Sequence, residues 1–284
     1  MEALARIMAK LDELGMSSDE MPMTPREYEQ YKVDGLNAAE GDLHERDGYR
    51  CRLCRNKGII VRLEERNGIY IEISSECKCM ETRRSILRMK RSGLKDIIKE
   101  YTFEKFVASE PWQQVIRDAA VEYARNPERR WFFLGGQSGA GKTHLCTAIC
   151  RELLLEGKSV QYMLWRDDIS KIKAAAMDPE TLDPIMHRFK TVSVLYIDDL
   201  FKTGKAPDGS YQRPTTADIN YAFEIINYRY NNPELLTIIS SEWSEDDLLD
   251  IDEATAGRIY ERAVTFSIAK DRCRNYRIKN AVTL

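Results

Sequence analysis

The clearest hydrophobic signal lies in the second half of the chain, where short apolar runs alternate with longer segments of helical periodicity. WFFLGG (131–136) reads as a buried strand ending in glycines, and Lys142 to Glu156 as a helix with apolar residues at helical spacing. SVQYMLW (159–165) reads as a second strand, followed by a charged helical segment over 166–190. SVLYIDD (193–199) is a third strand, Ala217 to Tyr230 a helix and LLTIISS (235–241) a fourth strand. Short continuous apolar runs suit strands covered on both faces, so this order predicts an α/β domain with a mostly parallel sheet between layers of helix.

The first half follows different periods. GIIVRLEERNGIYIEIS alternates about an Asn67-Gly68 pair, the signature of a tight hairpin. Before it, a short helix is expected over about 2–14. Pro22, Pro25, Gly35, Gly41 and Gly48 then interrupt a weakly periodic, partly flexible segment. Four regions result: an acidic N-terminal region (1–48), a small ribbon (49–80), a basic helical linker (81–108) and the α/β core (109–284).

Composition narrows the function classes. The chain has 284 residues, 43% hydrophobic and 31% charged, with a net charge of -3. That length suits one sizeable core plus a small module. No run approaches the ~18 apolar residues of a membrane span, and MEALARIMAKLDELG lacks the apolar centre and cleavage site of a signal peptide. A cytoplasmic protein without membrane partners is expected, its seven cysteines serving as thiols or metal ligands rather than disulfides.

The small net charge hides an asymmetry. Residues 1–50 hold twelve Asp/Glu against six Lys/Arg, whereas 83–99 concentrate Arg83, Arg84, Arg88, Lys90, Arg91, Lys95 and Lys99 against Asp96 alone. The C-terminal stretch is also basic, with Arg272, Arg274, Arg277 and Lys279. Separate surfaces for a polyanion and for another protein fit this pattern, and so do ordinary solvated helix faces.

The chemistry concentrates after the first core strand. Gly136-Gln137-Ser138-Gly139-Ala140-Gly141-Lys142-Thr143 matches G-x-x-x-x-G-K-[ST], with His144 next on the helix. Backbone N–H groups of such a loop and the helix N-terminus cradle phosphates; Lys142 reaches the β- and γ-phosphates of ATP, and Thr143 ligates Mg²⁺. The strand-before, helix-after context is what that mechanism requires. VLYIDD supplies the acidic element: Asp198 for Mg²⁺, directly or through water, and Asp199 as a base for the attacking water. Paired acids at a strand end also serve as ordinary turns or caps.

Cys51-x2-Cys54 and Cys77-x-Cys79 bracket the hairpin. Four sulfurs at one end of a ribbon suit a tetrahedral Zn²⁺ with no open position, a structural site that would help so small a module fold. Unrelated free thiols are the alternative. Cys146 and Cys150, at i and i+4 on the helix after the loop, read as small core residues.

With these features in hand, the chain resembles the DnaC-type AAA+ helicase loaders (DnaC, DnaI and IstB-like), particularly zinc-bearing forms of phages and Gram-positive bacteria. The resemblance runs from about Tyr49 to the C-terminus. It rests on the cysteine pairs, RSGLKDIIKEYTFEKF, FLGGQSGAGKTHL, VLYIDDLFK, INYRYNNPELLTIISSE and AGRIYERA. It implies an AAA+ sheet of five parallel strands, the fifth at AVTFSI, and no separate lid domain. It also implies an ATP-dependent loader that places a replicative helicase on single-stranded DNA, with the N-terminal region on the helicase and the core forming homo-oligomers.

By the same resemblance Arg258 is an arginine finger acting in trans, with Arg262 one turn later as the competitor. The usual sensor Asn is replaced in IISSE, where Glu242 holds the position and Ser241 is the residue left to hydrogen-bond the water. Arg277 is the candidate second sensor. Lys171 and Lys173, in the helical element after the second strand, would contact DNA phosphates, with Trp165 the nearest aromatic for stacking; a solvated face is the plain alternative. Two other functions fit the same core: an IstB-like transposition helper on duplex DNA, and a nucleotide-switch adaptor that hardly hydrolyses ATP.

Overall fold

The computed structural model describes residues 23–89, 97–128, 130–204 and 212–279. The helix expected over 2–14 and the basic residues Lys90, Arg91 and Lys95 lie outside them. The chain divides into two units, Met1–Met80 and Glu81–Leu284.

In the first unit, helix α1 (Pro25–Ala38) stands where weak periodicity suggested a partly flexible segment. Its apolar stripe is poor, and only Val33 is buried. The helix is defined at its start instead. Pro25 occupies the first turn, and Thr24 and Glu27 form a reciprocal capping box that satisfies two backbone donors. Asn37 then brackets Val61, donating to its carbonyl at 2.8 Å and accepting from its N–H at 3.0 Å. A short helix α2 (Leu43–Asp47) follows.

Strands β1 (Ile59–Arg66) and β2 (Ile69–Glu76) pair antiparallel from Ile59↔Glu76 to Arg66↔Ile69. Asn67 (φ 54°) and Gly68 (φ 76°) both take positive φ, the two-residue turn the Asn-Gly pair predicts. Helix α3 spans Cys79–Met89.

In the second unit, α4 (Ile97–Glu100) is a single turn and residues 101–110 are not helical, so the expected helical linker over 81–108 is only partly helix. Helix α5 (Pro111–Arg125) leads to strand β3 (Trp131–Gly136) and helix α6 (Lys142–Leu155). Strand β4 (Val160–Leu164) passes directly into α7 (Trp165–Ala174). The segment expected as one helix over 166–190 is two, because Asp178 caps a new helix, α8 (Pro179–Thr191), by accepting from the Thr181 N–H. Strand β5 (Val194–Asp198), α9 (Thr216–Tyr230), β6 (Leu236–Ser240), α10 (Glu245–Ile251), α11 (Glu253–Arg262) and β7 (Ala263–Ile268) complete the sheet.

All five strands run parallel in the order β4-β5-β6-β3-β7. Alternation in β3 decides the layers. Phe132 and Leu134 pack with Ile116 and Tyr123 of α5 and Leu145 and Ile149 of α6. Trp131 and Phe133 pack on the other face with Ile169, Phe189, Ile225 and Ile259. Both sheet faces are therefore dry, which explains strands apolar throughout.

Candidate nucleotide site and metal centre

The phosphate loop hangs between the C-terminal ends of two strands. Gly136 has φ 96°, and a Cβ there would collide with the Ile268 carbonyl of β7, so both conformation and space demand glycine. The Gln137 side chain accepts from the Asp271 N–H at 2.8 Å, and the Gly139 carbonyl accepts from the Tyr276 N–H at 3.0 Å. The C-terminal residues thereby brace the loop. Ala140, within the loop, is buried.

Beside the loop is a cavity of about 600 Å³ lined by Ser138, Gly139, Gly141, Lys142, Thr143 and His144 on one side. Tyr101, Phe106, Asp199, Lys202, Glu242, Tyr276 and Arg277 are among the rest of its lining. The Lys142 ammonium donates to the Gly136 and Gln137 carbonyls at 2.8 and 2.7 Å. Burial lowers its pKa to about 8, against the pull of Asp199 and Glu242. His144 lines the cavity, but its Nε2 pairs with the Thr102 carbonyl at 2.8 Å and its ring stacks on Tyr101 at 4.6 Å. It holds the segment at 101–106 against α6, and burial lowers its pKa, which favours the neutral ring.

Asp198, at the tip of β5, is 4% exposed and densely hydrogen-bonded. Its Oδ1 accepts from Thr143 Oγ1 at 3.2 Å, from the Tyr196 hydroxyl at 2.8 Å and from Ser240 Oγ; its Oδ2 accepts from the Tyr162 hydroxyl at 2.9 Å. Thr143 and Asp198 thus meet although 55 residues separate them. Asp199 turns back with φ 58°, its N–H held by Ser240 Oγ at 3.1 Å, an αL conformation that aspartate tolerates better than most residues. Burial and the adjacent Asp198 charge raise the Asp199 pKa, while Lys202 opposes them.

Of the other expected residues, Ser241 is fully buried, its Oγ donating to the Leu200 carbonyl at 2.8 Å and accepting from the Trp243 N–H at 3.1 Å. Ser240, one residue earlier, is the serine that touches Asp198. Arg258 sits on α11, donating to Asn227 Oδ1 at 2.9 Å and the Ala254 carbonyl at 2.8 Å, with its guanidinium over the Phe223 ring. Arg262 has Nε and one terminal nitrogen buried without a hydrogen-bond partner among the described residues. Arg277 does reach the cavity. Lys171 pairs with Asp168 and Lys173 with Asp218, and Trp165 is 1% exposed in the core, closed to base stacking.

Sequence reading overlooked Tyr162, Tyr196, Ser240 and Lys202. The first two were detectable in principle. Each is a tyrosine two residues before the end of a buried strand, and parallel pairing sets them side by side. A buried hydroxyl needs a partner, and Asp198 is the acceptor.

In the first unit, Cys51 and Cys54 precede β1, Cys77 follows β2 and Cys79 opens α3. Their four sulfurs lie within 4.8 Å of one another, with Cys51–Cys77 at 3.9 Å and Cys54–Cys79 at 3.5 Å. A ZnS₄ tetrahedron with bonds of ~2.3 Å has sulfurs ~3.8 Å apart, so the cage fits a structural zinc. Burial disfavours the Cys54 thiolate, but the Gly58 N–H and the neighbouring thiols outweigh it and bring the pKa down to about 7. Cys146 and Cys150 are buried in the core of the other unit, where burial pushes both thiols up.

The sequence profile of the bacterial DnaA ATPase domain matches residues 97–209. Phage-like element PBSX protein XkdC of Bacillus subtilis (strain 168) is 32% identical over 224 residues, 75% of this chain and 79% of XkdC. The chain belongs to the AAA+ replication-initiation family. YqaM of the same organism is 33% identical over 199 residues, 66% of this chain, and the chain spans 60% of YqaM's length. Among solved structures, the DnaC helicase loader shares the fold, with a TM-score of 0.50 and 21% identity over 62% of this chain and 99% of that one. Among the described residues no helix is long and apolar enough to cross a membrane.

Proposed function

We propose that this protein is an ATP-dependent loader that places a replicative DNA helicase on single-stranded DNA, with ATP hydrolysis timing assembly and release. The observation that carries the ATPase part is the convergence of Lys142, Thr143 and Asp199 about one cavity, with Asp198 directly behind it on Thr143. Lys142 holds the β- and γ-phosphates, and Asp199 orients the water that attacks the γ-phosphate in line. Thr143 and Asp198 would hold Mg²⁺, which would supply positive charge against the phosphates, and Tyr162, Tyr196 and Ser240 fix the Asp198 carboxylate for that task. Arg258 acts on the nucleotide of a neighbouring copy, its guanidinium fixed by Asn227 and the Phe223 ring.

Family membership and the four-cysteine unit support the loader over a bare ATPase: a small metal-built module has no place in the chemistry and suits docking on the helicase. The test mixes full-length protein with a bacterial replicative helicase and follows ATP-dependent transfer of the helicase onto circular single-stranded DNA. Co-elution and transfer that fail with Lys142→Ala are expected. Absence of helicase binding, with duplex DNA preferred over single strands, would replace the loader with a transposition helper.

A further inference from the structure

Glu242 stands just beyond the end of β6 at Ser240, its side chain only 9% exposed. A carboxylate there needs a counter-charge, and Lys202 provides it. Lys202 Nζ donates to Glu242 Oε1 at 3.2 Å and to Asp199 Oδ2 at 2.8 Å. The same Glu242 oxygen accepts from Ser138 Oγ at 2.7 Å, which anchors the carboxylate to the P-loop. Lys202, Glu242, Asp199 and Ser138 all line the cavity that holds Lys142, and the charges of Asp199, Glu242 and Lys202 all act on the Lys142 ammonium.

We propose that Lys202 is a γ-phosphate ligand, a second cation beside Lys142 that Glu242 retains in the site and that a triphosphate draws away from Asp199. This rests on the nucleotide reading above and deepens it. The ammonium has three donors, and two carboxylates share it. A terminal phosphate offers a stronger anion than Asp199. Glu242, tied to Ser138, keeps Lys202 from leaving with it. Exchange of one hydrogen bond then frees the Asp199 carboxylate to accept from water only when a γ-phosphate is present. A diphosphate lacks the group that triggers the exchange, so the Lys202–Glu242 pair makes the site discriminate triphosphate from diphosphate.

Calorimetric titration of the full-length protein with AMP-PNP and with ADP, both with Mg²⁺, tests this. Lys202→Met is expected to weaken AMP-PNP about tenfold or more, the order of one charge-assisted hydrogen bond, while ADP stays within about twofold. The retained ADP affinity also reports that the variant is folded. Lys202→Arg should restore most of the loss, and Glu242→Gln, which keeps an acceptor for Ser138, should cost AMP-PNP about threefold. Equal weakening of both nucleotides by Lys202→Met, or no change in either, overturns the inference and leaves the ATPase reading standing. A wild-type protein that binds neither nucleotide removes both.

Discussion

The two units reach order by opposite means. In the larger one, β3 is fully buried and both sheet faces carry extended apolar clusters. In the smaller one, the buried apolar residues among those described are Val33, Val61 and three cysteines. Its strands are largely exposed, with Ile59, Ile69 and Ile71 open to solvent. An exposed two-stranded hairpin is marginal in water, so beyond the Asn37–Val61 bonds to α1 the small unit leans on the sulfur cage, whereas the sheet unit is held by its own interior.

Metal removal should therefore give the largest effect and confine it to one unit. Purified protein should contain about one zinc per chain, and a strong chelator or Cys77→Ser should abolish hydrogen-exchange protection in β1 and β2. Structural zinc contributes on the order of 10 kcal/mol in small modules, more than this unit's core can replace. Amides of β3, β5 and β6 should keep their protection. Simultaneous loss in both units would refute the division of labour drawn above.

A buried cation tests the larger unit in return. Arg229 of α9 is fully buried, donating from Nε to Thr237 Oγ1 and from its terminal nitrogens to the carbonyls of Phe189, Lys190, Val192 and Leu236. It ties the end of α8 to the start of β6. Arg229→Met leaves those carbonyls buried without donors and should cost about 3–5 kcal/mol, read as a lower urea midpoint at unchanged slope. Zinc content should not change.

Lys142 carries a smaller effect of opposite sign. Burial lowers its folded-state pKa from 10.5 to about 8, so the unfolded chain holds the proton more tightly. Below about pH 8 the residue opposes folding, and its penalty fades as pH rises from 8 toward 10.5. Lys142→Met should therefore stabilise the nucleotide-free protein at pH 7 by about 1–3 kcal/mol while abolishing ATP turnover. The gain should disappear in melts near pH 10.5. A variant less stable than the parent at pH 7 would mean that the carbonyl contacts of Lys142 outweigh its burial.

What the sequence revealed follows from the same contrast. β3, β5 and β6 were legible because strands buried on two faces leave unbroken apolar runs, and the P-loop because its glycines and lysine are contiguous. Helix α1 was not, since a capping box rather than an apolar stripe defines it. The split between α7 and α8 was legible but overlooked: after the uncharged run Ala174 to Met177, Asp178 followed by Pro179 is a capping acid before a first-turn proline. The cluster of Ser138, Asp199, Lys202 and Glu242 has no local pattern. Its members meet only because β6 pairs with both β5 and β3, a strand order that hydrophobic period does not encode.

The hairpin turn sharpens the comparison with the smallest change. A Cβ at Gly68 would meet no atom within 4 Å, so Gly68→Ala introduces no clash, only the strain of an L-residue at φ 76°. That strain is worth about 1 kcal/mol. In the sheet unit such a cost would register as a lower melting temperature. Where a metal holds the ribbon, folding and metal binding form one equilibrium, and the cost should emerge as zinc affinity weakened about fivefold in a chelator competition. The melt of the larger unit should not move. If Gly68→Ala instead lowers that melt and leaves zinc affinity intact, the ribbon is not held by its metal, and the cysteines are ligands in a unit that would fold without them.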